Sequence, residues 1–268
     1  MNQGAQCCVS DSKALPPDLD GYVVATPAST HHAAVLSLLD RQRPIYVEKP
    51  LTNSARTARH LADLAPNGLF VMEKWRYHGG VRAIAARCGS GDLGKVRTIR
   101  CRRVQSGQSQ QDVNPVWTLL PHDLSIVDHI LGKLPSPVSA RASVGPTGEI
   151  LGLCASLEAD GVDVSITISS LSPHKERSLE VTLEGGTLLM ADPLADHVLL
   201  KPAGDLPQAP WHCLPVDTDM PLLMELKAFV EHLRGGPPPM IDAARSARSV
   251  ALIEALLRMA SVHQADTP

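Results

Sequence analysis

Two short turns within the first fifty residues carry side chains able to hold a ligand. One is Thr26-Pro27, followed by Ser29, Thr30, His31 and His32; the other is Glu48-Lys49-Pro50. A lysine at the carboxyl end of a strand can hydrogen-bond a substrate oxygen and stabilise developing alkoxide charge, and the proline after it stiffens the turn. His122 is a third candidate, because imidazole titrates near neutrality and suits proton transfer. Each has a plain alternative: a capped turn at Thr26-Pro27, a solvated surface lysine at Lys49, a helix cap or packed side chain at His122. The two turns gain weight together because they recur in adjacent units. The GxGxxG at Gly89-Ser90-Gly91-Asp92-Leu93-Gly94 is different. A phosphate loop leaves a strand and enters a helix; here a helical pattern precedes and a strand pattern follows, so the segment reads as a connector.

The elements that must position these residues begin near Asp18. Short β-branched runs at 22–25, 45–48 and 69–72 alternate with helical patterns at about 30–39 and 54–64, the second after a cap at Thr52 or Asn53. That order is βαβαβ, hence a parallel sheet. In such a sheet ligands bind outside the carboxyl ends of the strands, where both turns fall. Residues 80–88 read as helix, and from Lys95 the pattern changes to strands joined by turns. Val162, Val164, Ile166 and Ile168 alternate with Asp163, Ser165, Thr167 and Ser169, and residues 179–190 read as a hairpin across Gly185-Gly186. These features predict a mixed or antiparallel sheet with one wet face. His122 opens a helix pattern of Leu124, Ile126, Val127, Ile130 and Leu131 that ends at Gly132. The chain closes with two helices, one striped by Leu223, Leu226, Phe229, Val230 and Leu233, the other by Val250, Ile253, Leu256 and Leu257 after an Asp242 cap. The stiff Pro237-Pro238-Pro239 joins them.

Composition narrows the function. With 44% hydrophobic residues the chain can bury a substantial core, and a net charge of −3 offers no field to recruit nucleic acid or an anionic membrane. Aromatics at 3% are too few for a base-stacking platform, so Arg97, Arg100, Arg102 and Arg103 on one strand read as a solvated sheet with one arginine free to meet an anionic substrate. No apolar run approaches the roughly 18 residues of a membrane helix, and the opening residues lack a signal-peptide pattern. A cytoplasmic location is expected. Six cysteines without CxxC spacing predict reduced structural thiols and no metal site.

Taken in order, VATPASTH, YVEKPLTNS, EKWRYH, GDLGKVRTI, WTLLPHDLSIVDHILG and ELKAFVEHLRGGPPPMID resemble the Gfo/Idh/MocA family of NAD(P)-dependent oxidoreductases, from about Asp18 to Met259. The resemblance implies an α/β chain. A partial Rossmann unit, a doubly wound parallel sheet lacking its first strands, would occupy residues 1–78. An α+β substrate and oligomerisation domain with an open, mostly antiparallel or mixed sheet would occupy 79–268, its closing helices able to pack back on the first. The resemblance further implies that Lys49 contacts substrate and nicotinamide ribose and that His122 is the general acid or base. Thr26, Pro27, His31, Glu48 and Pro50 would line the nicotinamide end of NAD or NADP together with Lys49. Trp75 and Arg76 would border the cofactor, and Tyr77 and Asp123 the substrate. Thr118 stands at the catalytic position where family members commonly carry an aspartate; a hydroxyl can hydrogen-bond but brings no charge to an imidazolium.

The family's first strand, its glycine-rich turn and the acidic residue of the next strand have no counterpart. The strand at 22–25 is therefore expected to expose an open edge. The nicotinamide half-site would remain without the adenosine half-site, so this chain alone is expected to bind NAD(P) weakly or not at all. The expected activity is hydride transfer between nicotinamide and a hydroxyl- or carbonyl-bearing carbon of a sugar, cyclitol or nucleotide sugar. The alternatives are a non-catalytic binding or assembly subunit and a redox-neutral lyase or hydrolase. The expected partners are a sugar-like small molecule and further copies of the chain, joined through the second sheet, with neither nucleic acid nor membrane.

Overall fold

The computed structural model describes residues 7–107, 112–206 and 208–265. Three short parallel strands, β1 (Tyr22–Val24), β2 (Ile45–Val47) and β3 (Leu69–Val71), lie side by side in that order, with Tyr22 level with Ile45 and Ile45 with Leu69. All three residues of β2 and of β3 are buried, which is why they read as unbroken apolar runs rather than alternations. Each strand stops one residue short of its sequence pattern, leaving Ala25, Glu48 and Met72 in the turns. On the outer side of β1 no strand pairs among the described residues, and Val23 is 53% exposed there. The opposite edge is covered: Val71 N–H donates to the Ile241 carbonyl at 2.9 Å, and Phe70 bridges Asp242.

α1 (His31–Leu36) is shorter than the 30–39 expected, because the chain tightens into 3₁₀ turns on either side, Ala28–Thr30 and Leu39–Arg41. α2 (Ala55–Leu64) has Ser54 at its cap rather than Thr52 or Asn53, and Ser54 makes no side-chain cap bond. The first helical N–H, from Ala55, instead donates to Glu254 Oε1 at 2.7 Å, a cap supplied across the fold. Thr52 organises the turn ahead of it, its hydroxyl donating to the Ser54 carbonyl at 2.8 Å.

α3 (Gly79–Ser90) runs into β4 (Val96–Ser106) through Gly91, whose φ of 79° ends the helix in the left-handed region that glycine tolerates. The GxGxxG thus leaves a helix and enters a strand. β4 sits within an eight-stranded mixed sheet with β5 (Ser136–Val144), β6 (Ile150–Ala159), β7 (Val162–Ser169), β8 (Leu171–Leu183), β9 (Gly186–Met190), β10 (His197–Pro202) and β11 (His212–Pro215). The order is β11-β10-β9-β8-β4-β7-β6-β5, and only β4 and β7 pair in parallel. Val162, Val164, Ile166 and Ile168 point inward, while Asp163 and Ser165 are exposed. On the wet face Arg100 meets Glu180 at 3.1 Å and Arg102 meets Glu176 at 2.7 Å across the β4–β8 pair. Arg103, one residue on, points the other way into the core, as the pleat requires.

α4 (Pro115–Leu131) covers the inner face of this sheet. It starts at Pro115, where Asn114 Oδ1 accepts the Val116 N–H at 3.1 Å, and not at His122, which lies in its middle just after Pro121. α5 (Pro221–Leu233) and α6 (Ala243–Ala265) return to the first sheet: α5 packs on the turn Lys74–Tyr77, and α6 wedges between α2 and β5. The Asp242 cap forms as expected, accepting the Arg245 N–H at 2.7 Å. The stripe on α5 differs from expectation. Glu225 and Phe229 are its buried residues, whereas Leu223 and Val230 are exposed, because the helix touches the sheet along one narrow line where Phe229 meets Tyr46. One apolar core containing Leu61, Ile84, Leu124, Ile166 and Ile253 runs continuously from the first sheet to the second. No helix among the described residues is long and apolar enough to cross a membrane.

Candidate functional site

The carboxyl ends of β1, β2 and β3 open on one cleft of about 380 Å³. Ala25 and Thr26 follow β1, Glu48 and Lys49 follow β2, and Met72 and Lys74 follow β3. His31 from α1 forms part of the wall, and His122 of α4 and Glu225 of α5 close the far side. A larger groove between α2 and α6 is lined mainly by alanines. The convergence of titratable groups makes the strand-end cleft the candidate site.

His31 ties the first two turns together, its ring nitrogens lying 2.9 Å from the Pro50 carbonyl and 2.8 Å from that of Thr26. Lys49 ties the turn after β2 to α4, its Nζ donating to the Thr118 carbonyl at 3.0 Å. Pro121 has no N–H for the carbonyl of Trp117 and loosens this turn of α4, beside the carbonyl that Lys49 takes. Burial pushes the Lys49 ammonium below its ordinary pKa; the Glu48 and Glu73 carboxylates oppose the shift, and Lys74 and Arg103 add to it. His122 is held well below the usual imidazole value, by burial first and then by Lys49, Arg103, Lys74 and Arg177. Its Nδ1 is sealed from water and has no hydrogen-bond partner. The imidazole is therefore neutral at pH 7 and able to accept a proton.

Thr118 does not fill the place of a relay carboxylate, because its hydroxyl donates back to the Pro115 carbonyl at 3.1 Å. Asp123, expected beside the substrate, is instead locked by Arg103 in a fully buried bidentate pair with contacts of 2.9 to 3.1 Å. Arg103, the one arginine left for an anionic substrate, is spent on that pair and lies 4.5 Å over the Trp75 ring. Trp75 stands behind His122, edge-on with ring centres 6.3 Å apart, and stacks on His78. Arg76 is buried against Asp128 and donates to Ser125 at 3.2 Å. Tyr77 is buried beside Tyr46. Pro27 is exposed and Pro50 buried, and neither lines the cleft. Thr26, His31, Glu48, Lys49 and His122 are thus brought together; Pro27, Pro50, Trp75, Arg76, Tyr77, Thr118 and Asp123 frame or support them.

Met72, Lys74 and Glu225 were not anticipated, nor was Glu73 behind them. Burial raises Glu73 to about 7, against the opposing pull of Arg76. It raises Glu225 to about 8, with Glu73 and Glu48 adding to the shift. Both acids bind a proton more tightly folded than unfolded. Their contribution to stability is full below pH 4.5, their ordinary value, and is lost as pH rises through about 7 and 8. Among the described residues no group of histidine, cysteine, aspartate or glutamate is arranged to hold a metal ion.

Residues 2–70 match the family model GFO_IDH_MocA, described as an oxidoreductase family with an NAD-binding Rossmann fold. Inositol 2-dehydrogenase 2 from Mycolicibacterium vanbaalenii is 27% identical over 191 residues, which cover 66% of this chain and 55% of that protein. The chain is thus similar to the Gfo/Idh/MocA oxidoreductases over these spans. It spans about half the length, or less, of three of the curated relatives it matches. Two solved structures share its fold. One is an oxidoreductase from Agrobacterium radiobacter in complex with NAD+, L-tartaric acid and magnesium: TM-score 0.79, 18% identity, 94% of this chain and 81% of that one. The other is levoglucosan dehydrogenase in complex with NADH and levoglucosan: TM-score 0.82, 14% identity, 95% and 82%.

Proposed function

We propose that this cleft receives the nicotinamide end of NAD or NADP and serves the interconversion of an alcohol and a carbonyl on a sugar or cyclitol ring. One observation carries the proposal: the Lys49 ammonium and the partnerless, neutral His122 line the same cleft, at the carboxyl ends of three parallel strands. The residues fit the nicotinamide end, since buried polar atoms of His122 and Glu225 lack partners there. Among the described residues no glycine-rich turn leads from a strand into a helix to cradle a pyrophosphate, so the fit extends to the nicotinamide end alone. When bound, the nicotinamide ring supplies the hydride acceptor or donor.

The protein's part follows from its side chains. Lys49 spends one N–H on Thr118 and has two left to hold the reacting oxygen and stabilise alkoxide charge. His122 takes the hydroxyl proton. Its imidazolium would stand among cations, with no carboxylate on its Nδ1, so the proton is held there briefly and passed on. Lys49 consequently bears most of the charge in the transition state.

The chain is tested by mixing it with NAD+ or NADP+ and, in turn, myo-inositol, levoglucosan and glucose. Reduced nicotinamide is expected with at least one of the three, and about 10²- to 10⁴-fold less from His122→Ala. Consumption of a polyol without reduced nicotinamide would place the chemistry among eliminations instead.

A further inference from the structure

Glu225 has no part in the mechanism above, yet among the described residues it is, like Glu73, a buried carboxylate with an oxygen that lacks a partner, and of the two it is the one that lines the cleft. It is 1% exposed, it lines the strand-end cleft, and its Oε1 has no hydrogen-bond partner. The groups facing it come from every element packed around it. The Tyr46 hydroxyl of β2 and the Glu73 backbone N–H donate to the carboxyl group and pull against the effect of burial, Glu48 follows β2, Glu73 follows β3, and Tyr77 stands in the turn Lys74–Tyr77. Two of these four are carboxylates and two are phenols, and burial has pushed Tyr46 far above its ordinary value. None is a cation that would hold Glu225 ionised. An isolated carboxylate without solvent is very costly, whereas a carboxylic acid is not, and it carries an O–H that must be donated somewhere.

We propose that Glu225 is an uncharged carboxylic acid that donates its O–H into the cleft, to an uncharged oxygen of the bound molecule such as a carboxamide or ring hydroxyl. This deepens the cofactor assignment above and rests on it for the ligand, though not for the proton. An anionic oxygen is not needed to satisfy the donor, and Lys49 and Lys74 stand ready for charge elsewhere in the cleft. The held acid also explains why a polar residue occupies the buried line of α5, where an apolar one would pack beside Phe229 without leaving an oxygen partnerless.

Infrared difference spectra of the full chain against Glu225→Gln test the proton first. Near pH 6 the wild type is expected to show a protonated-carboxyl band that the isosteric variant lacks, and the band should fade as pH is raised past about 8. Identical spectra would overturn the proposal. Thermal melting gives a second reading: the wild type should lose stability between about pH 5 and 9, and Glu225→Gln should lose less. The donor role is tested by titrating NADH and, separately, myo-inositol. The band is expected to shift when either binds, and Glu225→Ala to bind it about tenfold more weakly than Glu225→Gln, which keeps a donor. A band unmoved by a ligand that binds would remove the donor role. If neither probe binds the wild type, the cofactor assignment and the donor role fall together, and the ligand-free band alone decides whether the acid is neutral.

Discussion

Lys49→Met is expected to lower turnover on an accepted polyol by about 10²- to 10³-fold, the loss seen when one donor to a developing oxyanion is removed. Methionine matches the length and apolar stem of lysine, so the cleft keeps its shape while the ammonium disappears. Folding should be little affected. The Lys49 ammonium is already pushed below its ordinary pKa by burial, and removing a poorly solvated charge relieves a desolvation penalty that offsets the lost bond to Thr118. A second effect should accompany the first. Lys49 is the foremost charge depressing His122, so its removal should raise the histidine's pKa. Steady-state rates, with a proton NMR titration of the imidazole, read both effects. A variant with wild-type turnover would remove Lys49 from the chemistry.

The turns that matter here were legible because apolar strand runs alternating with helical patterns leave a strong trace. The apolar runs of β1, β2 and β3 bracket Thr26 and Glu48-Lys49, and ligands gather at the ends of such strands. Legibility failed where a residue's role depends on a distant element. Pro121 looked like a boundary, so α4 was expected to open at His122; the helix continues through it because its flanks are apolar and packed between the second sheet and α6. On α5, counting apolar residues favoured Leu223 and Val230. The useful signal was Glu225, four residues before Phe229 and so on the same face, an ionisable residue on a buried line. Arg76 and Asp123 were expected at the site from the family resemblance. Only the fold shows that each is already taken by a buried partner, Asp128 and Arg103.

Asp128→Ala is expected to be the most damaging single substitution away from the cleft, destabilising the fold by about 3 to 5 kcal/mol. Asp128 is 4% exposed and accepts from two arginines, Arg76 in the turn after β3 and Arg245 on α6, the latter at 2.6 and 2.9 Å. It thereby ties α4 to both the first sheet and the closing helix. Removing it leaves the Arg76 guanidinium, 5% exposed, without its ion-pair partner. Arg245→Ala should cost much less, because Arg245 is 31% exposed and Arg76 would keep its carboxylate. Urea denaturation midpoints for the two variants give the comparison. Equal losses, or a loss below about 1 kcal/mol for Asp128→Ala, would show that the pairing does not hold these three elements together.

The central claim is that nicotinamide, not merely some ligand, lies against Lys49 and His122. It is tested most directly by titrating NADH into the chain with ¹⁵N-labelled histidines, a measurement that reads weak binding as well as tight. The His122 ring resonances should move with saturation and stay still when adenosine diphosphate replaces NADH. NADH binding that leaves His122 unperturbed, or an equal response to adenosine diphosphate, would contradict it.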